Sequence, residues 1–370
     1  MPRARWSSAC AHATAPADVP GVVLAIRPRA LGDLVLVTPA LRALKRGHPD
    51  ASLEVVTESR YAPLLEGLPG VDRVWPLERD ARATLGLAAT LRQRGVEMAV
   101  DFFGNPRTAL LARLSGARHR AGYALRGRER AYHVRVPRTL PPAPGRREFA
   151  AATHVRLALA AGGVADGVEP RIAVDARARA QAGALLARAG LAVPEATVGL
   201  VAAGSWPTKT WLVAFAAAFA RGLRAIGRPV LLLAGPGEER VTAALTDLAA
   251  PLPVLPPCDV AVLVAVIEHI GAVVGTDSGP RHVAAALGKP TFGWFGPTHP
   301  DTWTTPDPRH GTWWSPVPCR GCDRTACPHW NCMPMLTPDA AVAAVSAHLA
   351  RCAISPGHGT AADLGARAGA

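Results

Sequence analysis

The sequence predicts an α/β chain built from two parallel-sheet units, and three observations carry that prediction. Short apolar runs of the buried-strand kind, such as Val22-Val23-Leu24-Ala25-Ile26 and Val230-Leu231-Leu232-Leu233-Ala234, alternate with helix-length segments. The alternation pauses between Gly163 and Asp175 and then restarts, so the same grammar occurs twice. At 370 residues the chain is too long for one typical core and suits two domains. Two such units suggest Rossmann-like domains facing a cleft, with ligands expected beyond the carboxyl ends of the strands.

In the first unit, residues 22–26 read as a strand, 27–33 as the loop after it and 34–45 as a helix with Pro39 near its first turns. Strands follow at 53–57, 73–75 and 98–101, with helices at 61–66, 81–94 and 107–114. The stretch 126–147 is rich in Arg and Pro and reads as a long surface loop before a helix over 148–161. The second unit gives a helix at 176–189, a strand at 198–201, the loop 202–210 and a helix at 211–226. A strand at 230–234, the turn 235–238, a helix to Leu248 and a helix at 260–270 complete the run up to a short strand at 271–274. A further strand is expected at 290–296, and Thr337-Pro338-Asp339 opens a final helix to about Arg351. The expected organisation is a loose leader over 1–20, a first domain over 21–170 and a second over 171–336. Residues 337–354 are expected as a helix returning to the first domain, and 355–370 as a frayed tail.

Composition narrows the function classes. Hydrophobic residues make up 49% and charged residues 19%, which is the balance of a globular protein. No apolar run approaches the roughly 20 residues needed to cross a bilayer, and the first 20 residues hold no apolar signal core. A net charge of +13 invites a nucleic-acid reading. Against it, 38 of the 41 basic residues are arginines spread along the chain, and aromatics are only 5%, so no stacking platform is evident. With so much Ala, Gly and Pro as well, a GC-rich genome explains the arginines better, and an anionic membrane surface or an anionic substrate stays open as a partner. Seven cysteines without a signal peptide do not suggest a disulfide framework.

The most informative stretch is Gly275-Thr276-Asp277-Ser278-Gly279-Pro280-Arg281-His282. It places a glycine-bearing turn between a buried strand and a helix with Pro in its first turn. Free N–H groups and the helix dipole at such a start favour an anion.

Together with Arg27-(four residues)-Gly32-Asp33, Thr38-Pro39-Ala40-Leu41 and Lys209-Thr210-Trp211, this stretch resembles glycosyltransferase family 9, the ADP-heptose:lipopolysaccharide heptosyltransferase family. The resemblance runs from about Val22 to about His348. It implies a GT-B fold, with the acceptor on the first domain and the nucleotide-sugar on the second. It also implies inverting transfer that requires no cofactor.

Asp33 has two readings from the residues alone. It can cap the following helix, or act as general base toward an acceptor hydroxyl; the family's catalytic aspartate matches this position. Gly32 would permit a turn with unusual dihedrals, and Arg27 would hold Asp33 or the acceptor's anionic groups. Lys209 is either a solvated lysine or the cation at the departing diphosphate, and the family's phosphate-binding lysine matches it. Ser205 and Thr208 would add hydroxyl donors. The resemblance puts an acid near Glu238 on the donor ribose, with Glu239 competing for the role. Asp277, Ser278, Gly279 and His282 match the family's second donor motif, with Ser278 and Gly279 offering N–H groups to phosphate and His282 equally readable as a structural histidine.

Cys319, Cys322, Cys327 and Cys332 have metal-like spacing. Structural zinc or an iron–sulfur cluster is one reading; reduced thiols in a loop are the other.

The sequence therefore points to a cytoplasmic GT-B glycosyltransferase, in peripheral contact with the inner-membrane surface. Its expected donor is a nucleotide-sugar, ADP-heptose foremost, its acceptor a lipopolysaccharide-core or related glycolipid, and nucleic acid is not expected. The alternatives are a family member using another nucleotide-sugar and a metal-carrying interaction protein on the same scaffold.

Overall fold

In the computed structural model, residues 21–140, 147–191 and 193–354 are described. The expected leader and tail lie outside the described residues. The chain forms two compact units, residues 1–173 and 174–370.

The first unit runs β1 (Val22–Ile26), α1 (Leu31–Gly47), β2 (Ser52–Thr57), α2 (Ala62–Leu65), β3 (Arg73–Pro76), α3 (Ala81–Arg94), β4 (Val96–Asp101), α4 (Pro106–Leu114), β5 (His119–Tyr123), β6 (Val134–Val136) and α5 (Ala150–Ala160). Its sheet has the order β3-β2-β1-β4-β5-β6, all parallel. Leu24, Ile26, Val56, Leu91 and Leu111 are buried together in its core.

Two expectations change here. α1 begins at Leu31, so Gly32 is helical with no positive φ, and Asp33 is the third helical residue rather than the cap. The expected loop over 126–147 contains β6, whose Val134 and Val136 are buried while Arg135 is exposed. Pro39 falls inside α1, where a proline leaves the carbonyl four residues back without its N–H partner. Thr38 compensates, its hydroxyl donating to that carbonyl, Val35 O, at 2.8 Å.

The second unit runs α6 (Ala176–Arg188), β7 (Val198–Val201), α7 (Val213–Ala225), β8 (Val230–Leu232), α8 (Glu239–Ala249), α9 (Val260–His269), β9 (Ala272–Thr276), α10 (Gly279–Ala286), β10 (Thr291–Phe295), α11 (Pro300–Trp303), β11 (His310–Trp314) and α12 (Pro338–Arg351). Its sheet has the order β11-β10-β9-β7-β8, again all parallel. Trp211, Phe219 and Trp294 centre its core, with the Trp211 and Trp294 rings 4.7 Å apart. The final helix does not follow the expected return to the first domain. α12 lies on α7, and its apolar face, Ala341, Val345 and Leu349, belongs to the second unit's core.

In each sheet the strand order reverses at one point, between β1 and β4 in the first and between β7 and β9 in the second. Open α/β sheets bind ligands beyond the strand ends at such points.

Candidate functional site

At the first reversal point, β1 delivers Arg27 and β4 leads into Phe102 and Phe103. Arg27 is 2% exposed, and its guanidinium donates to Phe102 O at 2.7 Å and pairs with Asp33 Oδ1 at 2.7 Å. The same guanidinium lies over the Phe103 ring, 5.1 Å from its centroid. Asp33 Oδ2 reaches back to Ala30 N at 3.4 Å, a long contact, and the Asp33 side chain is 30% exposed. One carboxylate oxygen is thus held by a buried arginine, and the other is only loosely engaged. Beneath them, Asp101 is fully buried and accepts from Phe103 N, Gly104 N and the Tyr132 hydroxyl. Burial pushes its carboxyl up, and these donors only partly offset the push.

At the second reversal point, the loops after β7 and β9 meet in a buried ion cluster. Lys209 Nζ pairs with Asp277 Oδ2 at 2.8 Å, and Arg281 Nη2 with Asp277 Oδ1 at 3.3 Å. Thr298 donates to Asp277 Oδ2 at 3.0 Å, and His282 Nε2 stands 3.8 Å from Asp277 Oδ1. Burial pushes the Asp277 carboxyl up, but Lys209, Arg281 and His282 outweigh it and hold the group below the usual carboxylate range. Lys209 also stands over the Trp206 and Trp303 rings, 4.4 Å and 5.8 Å from their centroids. One carboxylate therefore faces two permanent cations, and the cluster carries positive charge beside the start of α10. Ser278 stands at the N-cap position of that helix but its side chain makes no capping bond, and its Oγ is buried without a hydrogen-bond partner. Gly279 is the first helical residue.

Two glycines make this meeting possible. Gly275 has φ +144°, and a Cβ there would stand 2.1 Å from Val201 O, so β9 can approach β7 only with glycine. A Cβ on Gly204 would stand 2.8 Å from Lys209 Cβ.

The remaining sequence-chosen residues are less central. Glu238 Oε2 accepts from Gly235 N at 2.9 Å, and burial pushes its carboxyl up; Glu239 accepts from Gly237 N and is exposed. Ser205 is exposed. The Thr208 hydroxyl donates to Arg324 O at 2.7 Å, so it does not stand free for a ligand as expected.

Cys319, Cys322, Cys327 and Cys332 do line one cavity, with Thr208, Arg324 and Trp330. Among the described residues, however, no three Cys, His, Asp or Glu side chains are placed to hold a metal ion. Cys332 Sγ lies against Gly296, and burial pushes its thiol up. Cys327 Sγ accepts from Trp330 N at 3.4 Å. As placed, the four thiols do not fit the metal reading.

The model of glycosyltransferase family 9 (heptosyltransferase) matches residues 84–332, well over half of the chain. The chain belongs to glycosyltransferase family 9. Lipopolysaccharide heptosyltransferase 3 of Escherichia coli is 26% identical over 290 residues, 74% of this chain and 82% of that protein. Lipopolysaccharide heptosyltransferase 1 of Pseudomonas aeruginosa is 29% identical over 307 residues, 75% of this chain and 79% of that protein. The structure of E. coli ADP-heptose lipopolysaccharide heptosyltransferase II superposes with a TM-score of 0.73 at 21% identity, covering 89% and 98% of the two chains. That likeness is one of fold, and the fold class is the expected GT-B.

Sequence reasoning missed several groups in this family-9 enzyme. Arg281 and Thr298 bind the Asp277 carboxylate, and Trp206 and Trp303 wall the lysine. Arg281 was visible inside the family motif, but an arginine-rich composition hides any single arginine. Thr298 lies in a separate loop after β10, and no local spacing links it to Asp277.

Proposed function

We propose that the chain is an inverting glycosyltransferase that moves heptose from ADP-heptose to a hydroxyl of a lipopolysaccharide-core or related glycolipid. The observation that carries the donor half is the buried Lys209–Asp277–Arg281 cluster beside the uncapped start of α10. A lysine ammonium carries three donors, and Asp277 engages one of them. The others, with the Ser278 hydroxyl and the Ser278 and Gly279 N–H groups, suit the diphosphate. His282 supports Asp277, and Glu238 is assigned to the donor ribose, with Ser205 at the rim.

Asp33 is assigned as the base. The acceptor oxygen attacks the anomeric carbon while Asp33 takes its proton, and the bond to the diphosphate breaks with its electron pair leaving on ADP. Lys209 and the α10 start stabilise the charge that develops on the leaving group. Arg27 fixes Asp33 through Oδ1 and leaves Oδ2 for the proton. No step passes through a metal or cofactor. Stoichiometric zinc or iron in the active purified protein would correct the placement of the four thiols without touching this chemistry.

The proposed location is the cytoplasm, in peripheral contact with the inner membrane. The net charge of +13 suits an anionic surface, and among the described residues no helix is long and apolar enough to cross a membrane. Transfer is tested by incubating the purified chain with ADP-heptose, or with other nucleotide-sugars, and lipopolysaccharide-core acceptors. ADP release that depends on acceptor and is fastest with ADP-heptose is expected. Faster turnover of another nucleotide-sugar would move the chain to a different donor, and no turnover with any would remove the enzymatic assignment.

A further inference from the structure

The cysteine-bearing loop carries an inference that the donor site does not use. It resumes after β11 and is fastened to two segments that both serve Asp277. On one side, Gly321 N donates to Gly296 O at 3.0 Å and Asp323 N to Pro297 O at 2.8 Å. The next residue, Thr298, donates to Asp277 Oδ2. On the other side, Thr208 is gripped twice. Its hydroxyl donates to Arg324 O at 2.7 Å, and its carbonyl accepts from the Trp330 indole at 3.0 Å. Thr208 is 4% exposed and directly precedes Lys209 in a single 3₁₀ turn, Pro207–Lys209. A short turn of this kind has little hydrogen bonding of its own to fix a side chain.

We propose that residues 319–332 form a brace that positions Lys209, with Thr208 and Trp330 as its positioning residues. The proposal rests on the donor assignment above. The brace works by restraint: with the hydroxyl and the carbonyl of Thr208 tied to the loop, the lysine is presented to the diphosphate in one orientation, and its ordering is not repeated on each binding event. Thr208 thereby changes role, from a direct donor to the ligand to the peg on which the lysine turn hangs.

The test measures ADP binding to the full chain by calorimetry. Thr208→Val removes the hydroxyl and keeps the shape; Trp330→Phe removes the indole N–H and keeps a ring. Each is expected to weaken ADP binding about fivefold to tenfold, while Thr208→Ser, which keeps the hydroxyl, stays within about twofold of wild type. The decisive readout is coupling. In a Lys209→Ala background, Thr208→Val should change ADP affinity by less than about twofold, because the group it positions is gone. Unfolding midpoints recorded in parallel show that each variant is folded at the assay temperature. Wild-type binding with unchanged affinity in both single variants overturns the brace and leaves the donor site standing. So does a Thr208→Val loss that persists undiminished without Lys209. Wild-type protein that binds no ADP overturns brace and donor site together.

Discussion

Lys209 is 9% exposed, paired with a carboxylate and faced by two indoles, and this is an unusual place for a lysine without a task. Its partner Asp277 already has Arg281, so the lysine is surplus to neutralising that acid. The surplus charge is what a diphosphate requires. Lys209→Ala should weaken ADP binding by about tenfold to a hundredfold, the size of a charge-assisted contact. Titration calorimetry at fixed salt checks this, and unchanged affinity would remove the lysine from the site. At this scale the sequence was partly legible. Asp33, Lys209 and Asp277 stand out because each comes shortly after the end of a readable strand. Thr208 misled, because a hydroxyl beside a lysine looks like a ligand donor until its bond to Arg324 O is seen.

At the scale of elements, the site exists because β9 and β7 run side by side at the point where the strand order reverses. Gly275 sets that spacing, and a Cβ would strike the backbone of Val201, which cannot swing aside as a side chain would. Gly275→Ala combines a left-handed φ with overpacking and should destabilise the protein by about 2–5 kcal/mol. Urea unfolding measures it; a loss under about 0.5 kcal/mol would show that β9 can shift away from β7. β1, β7, β8 and β9 were readable because they are buried and their residues form near-continuous apolar runs. β5, β6 and β11 were missed because none of them is a run of aliphatic residues: β5 is His-Arg-Ala-Gly-Tyr although it lies inside its sheet, and β6 and β11 lie at sheet edges. β6 is a three-residue alternation with an exposed arginine, and β11 is a His-Gly-Thr-Trp-Trp run without an aliphatic residue. The final helix was found from its Thr-Pro-Asp start but sent to the wrong partner. Its Ala341, Val345 and Leu349 stripe marks a buried face without naming what buries it.

Across the whole molecule, buried histidines tie stability to pH. His310 is 7% exposed and accepts or donates one bond with the Thr291 hydroxyl. Burial, with Arg281, Arg309 and His348 nearby, pushes it down from 6.5 to about 4. His154 in the first unit is pushed down as well, by burial and by Arg27, Arg138 and Arg156. A depressed histidine binds its proton more readily in the unfolded chain. Its stability is therefore complete above about pH 6.5 and is lost as pH falls toward about 4. His310 alone can contribute on the order of 2–3 kcal/mol across that window. Urea midpoints taken from pH 7.5 to 4.5 should fall steadily in the wild type and less in His310→Gln; equal slopes would show that His310 does not carry the effect.

The proposed division of labour gives the base to the first unit and the donor site to the second, and one paired measurement tests it. Asp33→Asn keeps the shape and an oxygen for Arg27 while removing basicity. Transfer from ADP-heptose at saturating donor and acceptor should fall by about 10²- to 10⁴-fold, the usual worth of a general base. ADP affinity of the same variant should stay within about twofold of wild type. Turnover within a few-fold of wild type, with ADP binding intact, would contradict the assignment of Asp33 and return it to a helix-start carboxylate paired with Arg27.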